Sequence, residues 1–161
     1  MNIFVVDTDP FLAAKALHDS HVVKMTLETA QLLCTALRQC DGLPHGTWYK
    51  STHRQHPCTI WTCASRENAA WLVEHGLALA AEYTLRFRKA HKSEDVIRRC
   101  GSLLSALPDV APTTFAQAMP EQYHHHDPVI AYRSYYAGEK MYPAGRPARW
   151  TGRDRPAWLP A

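Results

Sequence analysis

From Asp19 to Leu37 apolar residues point to nearly every side of a 3.6-residue repeat. His21, Lys24, Glu28, Gln31 and Thr35 nevertheless share one arc of about 80°. The pattern predicts a long helix. Asp9 followed by Pro10 marks its start, a capping acceptor before a first-turn proline. It runs to about Gln39, with a break near Asp19–Ser20, and the "CDGLPHG" stretch stops it. Residues 41–57 read as a loop ending in "THRQHPC". Ser65 caps a second long helix, Arg66 to about Ala90, rich in strong helix formers. A third helix starts after Ser93, with acids in its first turn, and stops near Ala106. Residues 107–127, with three prolines and three consecutive histidines, read as a surface loop. Asp127–Pro128 repeats the cap-plus-proline signal and opens a fourth helix. "NIFVVD" at the amino end reads as a short strand, and the last twenty residues, with four prolines, as extended chain.

These elements predict a mostly α protein. It is expected to be a single compact helical domain over 1–161, with about four helices and a short N-terminal strand. The helical core spans about 9–141, and a basic, aromatic C-terminal segment spans 142–161. No internal repeat or composition break argues for a second domain. With 46% hydrophobic and 20% charged residues the chain can bury a core. No apolar run approaches the ~18 residues of a membrane span, so no membrane partner is expected. The start lacks the features of a signal peptide. Five cysteines without a CxxC predict reduced thiols and a cytoplasmic setting.

Charge changes the picture at one end. The net charge is only +3. The stretch from 133 onward holds Arg133, Lys140, Arg146, Arg149, Arg153 and Arg155 against Glu139 and Asp154, among Trp150, Trp158 and several tyrosines. Basic residues interleaved with aromatics suit a polyanion with stackable bases. A solvated tail wrapped on the core is the alternative.

The polar row of the first helix also has two readings: a solvent face, or the lining of a cleft. The second long helix carries a similar stripe of Asn68, Trp71, His75, Glu82, Arg86 and Lys89. The two stripes are expected to form one polar groove, with His53 and His56 closing an end. Independent solvation of both is the other outcome. Lys24 and Glu28 stand four apart, so their side chains meet. Half-buried, such a pair can steer protons, stabilise a cation or contact phosphate. The "YHHHDP" stretch has no partner at zinc spacing, so no metal is expected.

"LHDSHVVKMTLETAQLL" resembles the signature helix of the phage and bacterial pyrimidine-dimer DNA glycosylases, the endonuclease V type of ultraviolet-repair enzyme. In that family Asp-x-His opens the helix and a catalytic glutamate follows seven residues after the histidine. Asp19, His21 and Glu28 stand at that spacing. Glu82, Arg86 and Phe87 resemble the end of a second family helix, and "EKMYPAGRPARWTGRDRPAW" resembles its aromatic, basic C-terminal segment.

The resemblance implies a compact helical fold and excision of a damaged base from double-stranded DNA, with a possible lyase step. It needs no cofactor. It implies a monomer in the cytoplasm of a bacterium or a phage-infected cell. Glu28 would stabilise the cationic sugar, His21 would orient sugar or phosphate, and an amine would form an imine at C1′. Asn2 is bulky enough for Met1 to be retained, so Met1, Asn2 and Lys24 are the candidate amines. His53, His56, Arg86, Arg133, Lys140, Arg149, Trp150 and Arg153 would contact DNA. Two alternatives stay open: an enzyme that processes a nucleotide or modified base in the same pocket, and a non-catalytic nucleic-acid-binding protein.

Overall fold

Leu17 and His18 divide the first expected helix. Both are extended, with ψ of 143° and 164°, and His18 Nδ1 turns back to accept the His21 N–H. In the computed structural model, described over residues 1–44 and 48–160, this leaves two helices, α1 (Pro10–Ala16) and α2 (Asp19–Gln39). They are followed by α3 (Pro57–Ala64), α4 (Arg66–Phe87), α5 (Glu94–Gly101) and α6 (Pro128–Glu139), with 3-10 turns at Leu104–Ala106, Glu121–Tyr123 and Pro143–Gly145. Residues 45–47 of the expected loop, and the last residue of the C-terminal segment, lie outside the described residues.

The count therefore exceeds the expected four, and α3 is the element that pattern reading passes over. It starts as α1 and α6 do, with a capping side chain before Pro at the first position. The capping acceptor is His56 Nδ1, which takes the Cys58 N–H, in place of the carboxylates of Asp9 and Asp127. Ser65 caps α4 as expected. Ser93 does not cap α5; it adopts helical dihedrals and its hydroxyl bonds the Tyr49 hydroxyl at 3.0 Å. That helix ends at Gly101, short of Ala106.

No strand forms among the described residues. The apolar amino-terminal run is buried as irregular chain. Asn2 Oδ1 accepts the N–H groups of Ile3 and Phe4, the Val6 N–H bonds the Phe4 carbonyl at 2.7 Å, and Phe4 has a φ of 39°. A left-handed φ at a bulky residue costs about 1–3 kcal/mol and is incompatible with a strand. Burial of Ile3, Phe4, Val5 and Val6 offsets it.

Helix α4 is the centre of the packing, touching α1, α2, α3 and α5. It approaches α2 closely at Gly76, where a Cβ would stand 2.5 Å from Thr29 Cγ2. Helix α6 lies over the amino-terminal run, burying Tyr132 and Tyr136 completely. The C-terminal segment straps the junction of α1 and α2. Arg149 carbonyl accepts the Asp19 N–H at 2.8 Å, and Trp150 Nε1 donates to the Ala16 carbonyl at 2.9 Å. One apolar cluster thus runs from Ile3 to Leu159. No helix among the described residues is long and apolar enough to cross a membrane.

Candidate active site

Glu28 sits mid-way along α2, only 8% exposed. Its Oε2 accepts the backbone N–H of Asn2 at 3.0 Å and lies 3.8 Å from the amine of Met1. Its Oε1 lies 3.6 Å from Lys24 Nζ, whose side chain is largely exposed. The turn at Phe4 brings the chain end here, and Asn2 Nδ2 anchors it to the Ala118 carbonyl at 2.7 Å. A nearly buried carboxylate thus faces three nitrogens, two of them amines.

His21, two turns earlier on α2, stacks on Phe4 at 4.5 Å and on His18 at 4.0 Å. The Tyr136 hydroxyl accepts the His18 N–H and shares a hydrogen bond with His21 Nδ1 at 3.0 Å. Burial, reinforced by nearby His18, Lys140 and Lys24, pushes the His21 pKa down to about 2. His21 is accordingly neutral at physiological pH. Burial also lowers His18, to about 4.

The His53–His56 turn closes the other side. His56 is half-buried at the start of α3. Burial lowers its pKa, with further contributions from the terminal amine and His53, against the opposing pull of Glu28. His53 remains exposed, with a φ of 47°. Beneath this turn Cys58 is pushed up to about 12 by burial, and Cys63 to about 11, so neither supplies a thiolate. All five cysteines are free. Among the described residues no group of three or more His, Cys, Asp or Glu side chains is placed to hold a metal ion.

The expected joint groove of two polar stripes does not form. Thr35, at the far end of the first row, is covered by Thr52, whose N–H donates to its hydroxyl at 3.1 Å. The α4 stripe faces α1 and the loops. Asn68 bonds Thr113 and the Trp61 carbonyl, Trp71 bonds the Thr8 carbonyl, and His75 bonds the Pro10 carbonyl at 3.0 Å. Lys89 lies beyond the end of α4.

Arg86 is corrected in the same way. Its side chain is fully buried, donating to Glu82, Asp19 and the carbonyls of Lys15 and Leu17. It cannot reach DNA. Arg153 holds Glu82 from the other side, at 2.6 and 3.1 Å. Burial alone would raise the Glu82 pKa; the hydrogen bonds from Arg153 and Arg86 overcome it and hold the carboxyl below its ordinary value. Arg133 bonds the Val6 carbonyl and Asp7, and the indole N–H of Trp150 is taken by Ala16. Arg153 and Trp150 thus tie down the strap, and Arg133 ties α6 to the amino-terminal run. Arg149 is exposed and shares a cleft with His18, Ser20 and Arg146 at the start of α2, and Lys140 lies over the Tyr135 ring at 4.3 Å.

The sequence pattern did not single out Phe4 and Tyr136, which hold the position of His21.

A nearly buried carboxylate on α2 thus lies against the amino end of the chain, and a half-buried histidine stands two turns earlier on the same helix. Residues 1–95, more than half the chain, match the family model described as pyrimidine dimer DNA glycosylase. The chain belongs to that family. No curated protein and no solved structure matches it.

Proposed function

We propose that this protein is a DNA N-glycosylase that excises a damaged or modified base from duplex DNA. The 3.0 Å contact between Glu28 and the Asn2 backbone nitrogen, with the Met1 amine beside it, carries this reading. Breaking the N-glycosidic bond builds positive charge on the sugar, and a fixed carboxylate stabilises that charge. Attack by an amine at C1′ displaces the base. Ring opening at the sugar oxygen then leaves an imine, with the amine proton passing to the departing groups. Loss of a C2′ proton from the imine expels the 3′ phosphate, which is the lyase step. The target nucleotide must leave the stack before C1′ is reachable.

The residue roles follow. Glu28 is the catalytic carboxylate. His21 offers a neutral imidazole to sugar or phosphate. The attacking amine belongs to Met1, or to Asn2 if Met1 is removed, because the Asn2 nitrogen already lies against Glu28. Lys24 is a third amine at 3.6 Å. His53, His56, Arg133, Lys140, Arg149, Trp150 and Arg153 are the exposed or half-exposed groups of the expected DNA contacts. The protein acts as a monomer and without a cofactor.

Borohydride reduction with ultraviolet-irradiated or abasic duplex DNA tests this. The expected result is a covalent adduct, and the mass of the adducted peptide separates Met1, Asn2 and Lys24. Glu28→Gln is expected to lower base release about 10²–10³-fold. Unchanged base release in that variant would overturn the role of Glu28.

A further inference from the structure

On the other side of Lys24 from Glu28, α2 meets the turn between α4 and α5 across an open cleft of about 630 Å³. Lys24, Lys89 and Lys92 line it, and none of its lining residues is acidic. Lys89 and Lys92 form no ion pair among the described residues, whereas Lys24 faces Glu28. The α2 side contributes Val23 and Leu27, 41% and 37% exposed on a helix whose apolar residues are otherwise buried. Tyr49 and Tyr83 complete the walls.

The lysine-bearing turn is held in place. Arg88 ends α4 in the left-handed region, with φ of 58°. His91 Nδ1 accepts the Ser93 N–H at 3.1 Å, so its proton is on Nε2, which donates to the Val23 carbonyl at 3.2 Å. Burial lowers the His91 pKa, which keeps this neutral clamp intact at physiological pH. Three cations are therefore held around exposed apolar side chains with no carboxylate in the cleft. That combination fits a ligand with anionic and flat, partly apolar parts.

We infer that this cleft seats the nucleotide of the bound DNA strand adjacent to the one at Glu28. Lys89 and Lys92 take its phosphates, and Val23, Leu27 and the two tyrosines face its sugar and base. The inference rests on the DNA glycosylase reading and adds the path of the strand. The cleft begins at Lys24 and Leu27, the residues that flank Glu28 on α2, so a strand presenting one nucleotide to the carboxylate brings the next one here.

Two measurements on the full chain test it. Lysine acylation with and without a lesion-bearing duplex, read by peptide mass, is expected to show Lys89 and Lys92 protected by DNA. The salt dependence of duplex binding for Lys89→Gln/Lys92→Gln is expected to be shallower by about 2 in log–log slope, near 0.9 per lost phosphate contact. Affinity at low salt should fall at least about tenfold. Arg98→Gln, an exposed charge on α5 outside the cleft lining, should keep the original slope. Binding and base release with neither protection nor a slope change would overturn the cleft assignment alone. Absence of both duplex binding and base release in the unmodified protein would overturn the glycosylase reading, and the inference with it.

Discussion

The Tyr136 hydroxyl and His21 Nδ1 lie 3.0 Å apart, joining α6 to the polar row of α2. The same hydroxyl accepts the His18 N–H at 3.0 Å. One fully buried phenol thus holds the break between α1 and α2 and orients the His21 ring.

Tyr136→Phe removes both bonds and leaves a buried N–H unsatisfied. The expected cost is about 1–3 kcal/mol of stability, measured by chemical denaturation. Base release should fall while duplex affinity holds, because His21 loses its fixed orientation without losing any charge. Equal base release by the variant and the parent would separate His21 from the chemistry.

Arg86 links α4 to the end of α1 and the start of α2, with its side chain fully buried. Arg86→Met is expected to lower stability by about 3–5 kcal/mol, because Glu82 and Asp19 lose a buried partner. Glu82→Gln should also destabilise, since Arg86 and Arg153 both lose their acceptor charge. Denaturant midpoints of the two single variants and the double variant give the coupling.

Gly76→Ala sets two effects against each other. Alanine is favoured within a helix by about 1 kcal/mol. Its Cβ would stand 2.5 Å from Thr29 Cγ2 and 3.1 Å from Ile97 Cδ1. Overpacking costs about 1–3 kcal/mol, so the net expected change is a loss of stability. Combining it with Thr29→Ser should recover part of the loss, a comparison readable from melting temperatures.

Acid should weaken the fold well before the carboxylates titrate. His18 and His75 are lowered to about 4 and His21 to about 2, each chiefly by burial. Below the unfolded value of about 6.5 the unfolded chain binds protons that the folded chain refuses, so stability drops as pH falls. Each histidine contributes up to about 1.4 kcal/mol per pH unit, down to its folded pKa. Glu82 is lowered too, its burial overcome by its arginine hydrogen bonds, and so has the same dependence on pH: its contribution is present above its ordinary value and lost as pH falls through the folded one. Unfolding free energies at pH 7.5, 6 and 5 check this, and a flat profile would show that these rings are protonated in the fold.

Helix starts were legible wherever a capping oxygen preceded proline, at Asp9 and Asp127, and where Ser65 capped α4. Glu28 and its spacing to His21 were legible as well, because one polar row stood out on an apolar helix. The start at His56 was not, since an imidazole acceptor is outside the usual set of capping residues. Nor was the irregular amino end: the four apolar residues Ile3 to Val6 carry no sign of the left-handed Phe4, and the Asx turn that bends them hangs on the single Asn2 before them. The α4 stripe misled for a physical reason. Periodicity shows which residues share a face, and α1 with the C-terminal strap, both distant in sequence, cover that face.

The strap has a bearing on modularity. Residues 1–95 carry the family match, but Asn2 is moored to Ala118, His21 to Tyr136, and Asp19 to Arg149 and Thr151. A chain cut after the matched portion would strip the amino end, the histidine and the helix start of their moorings at once. Swapping the first 95 residues between relatives would therefore transplant the carboxylate without the frame that aims it.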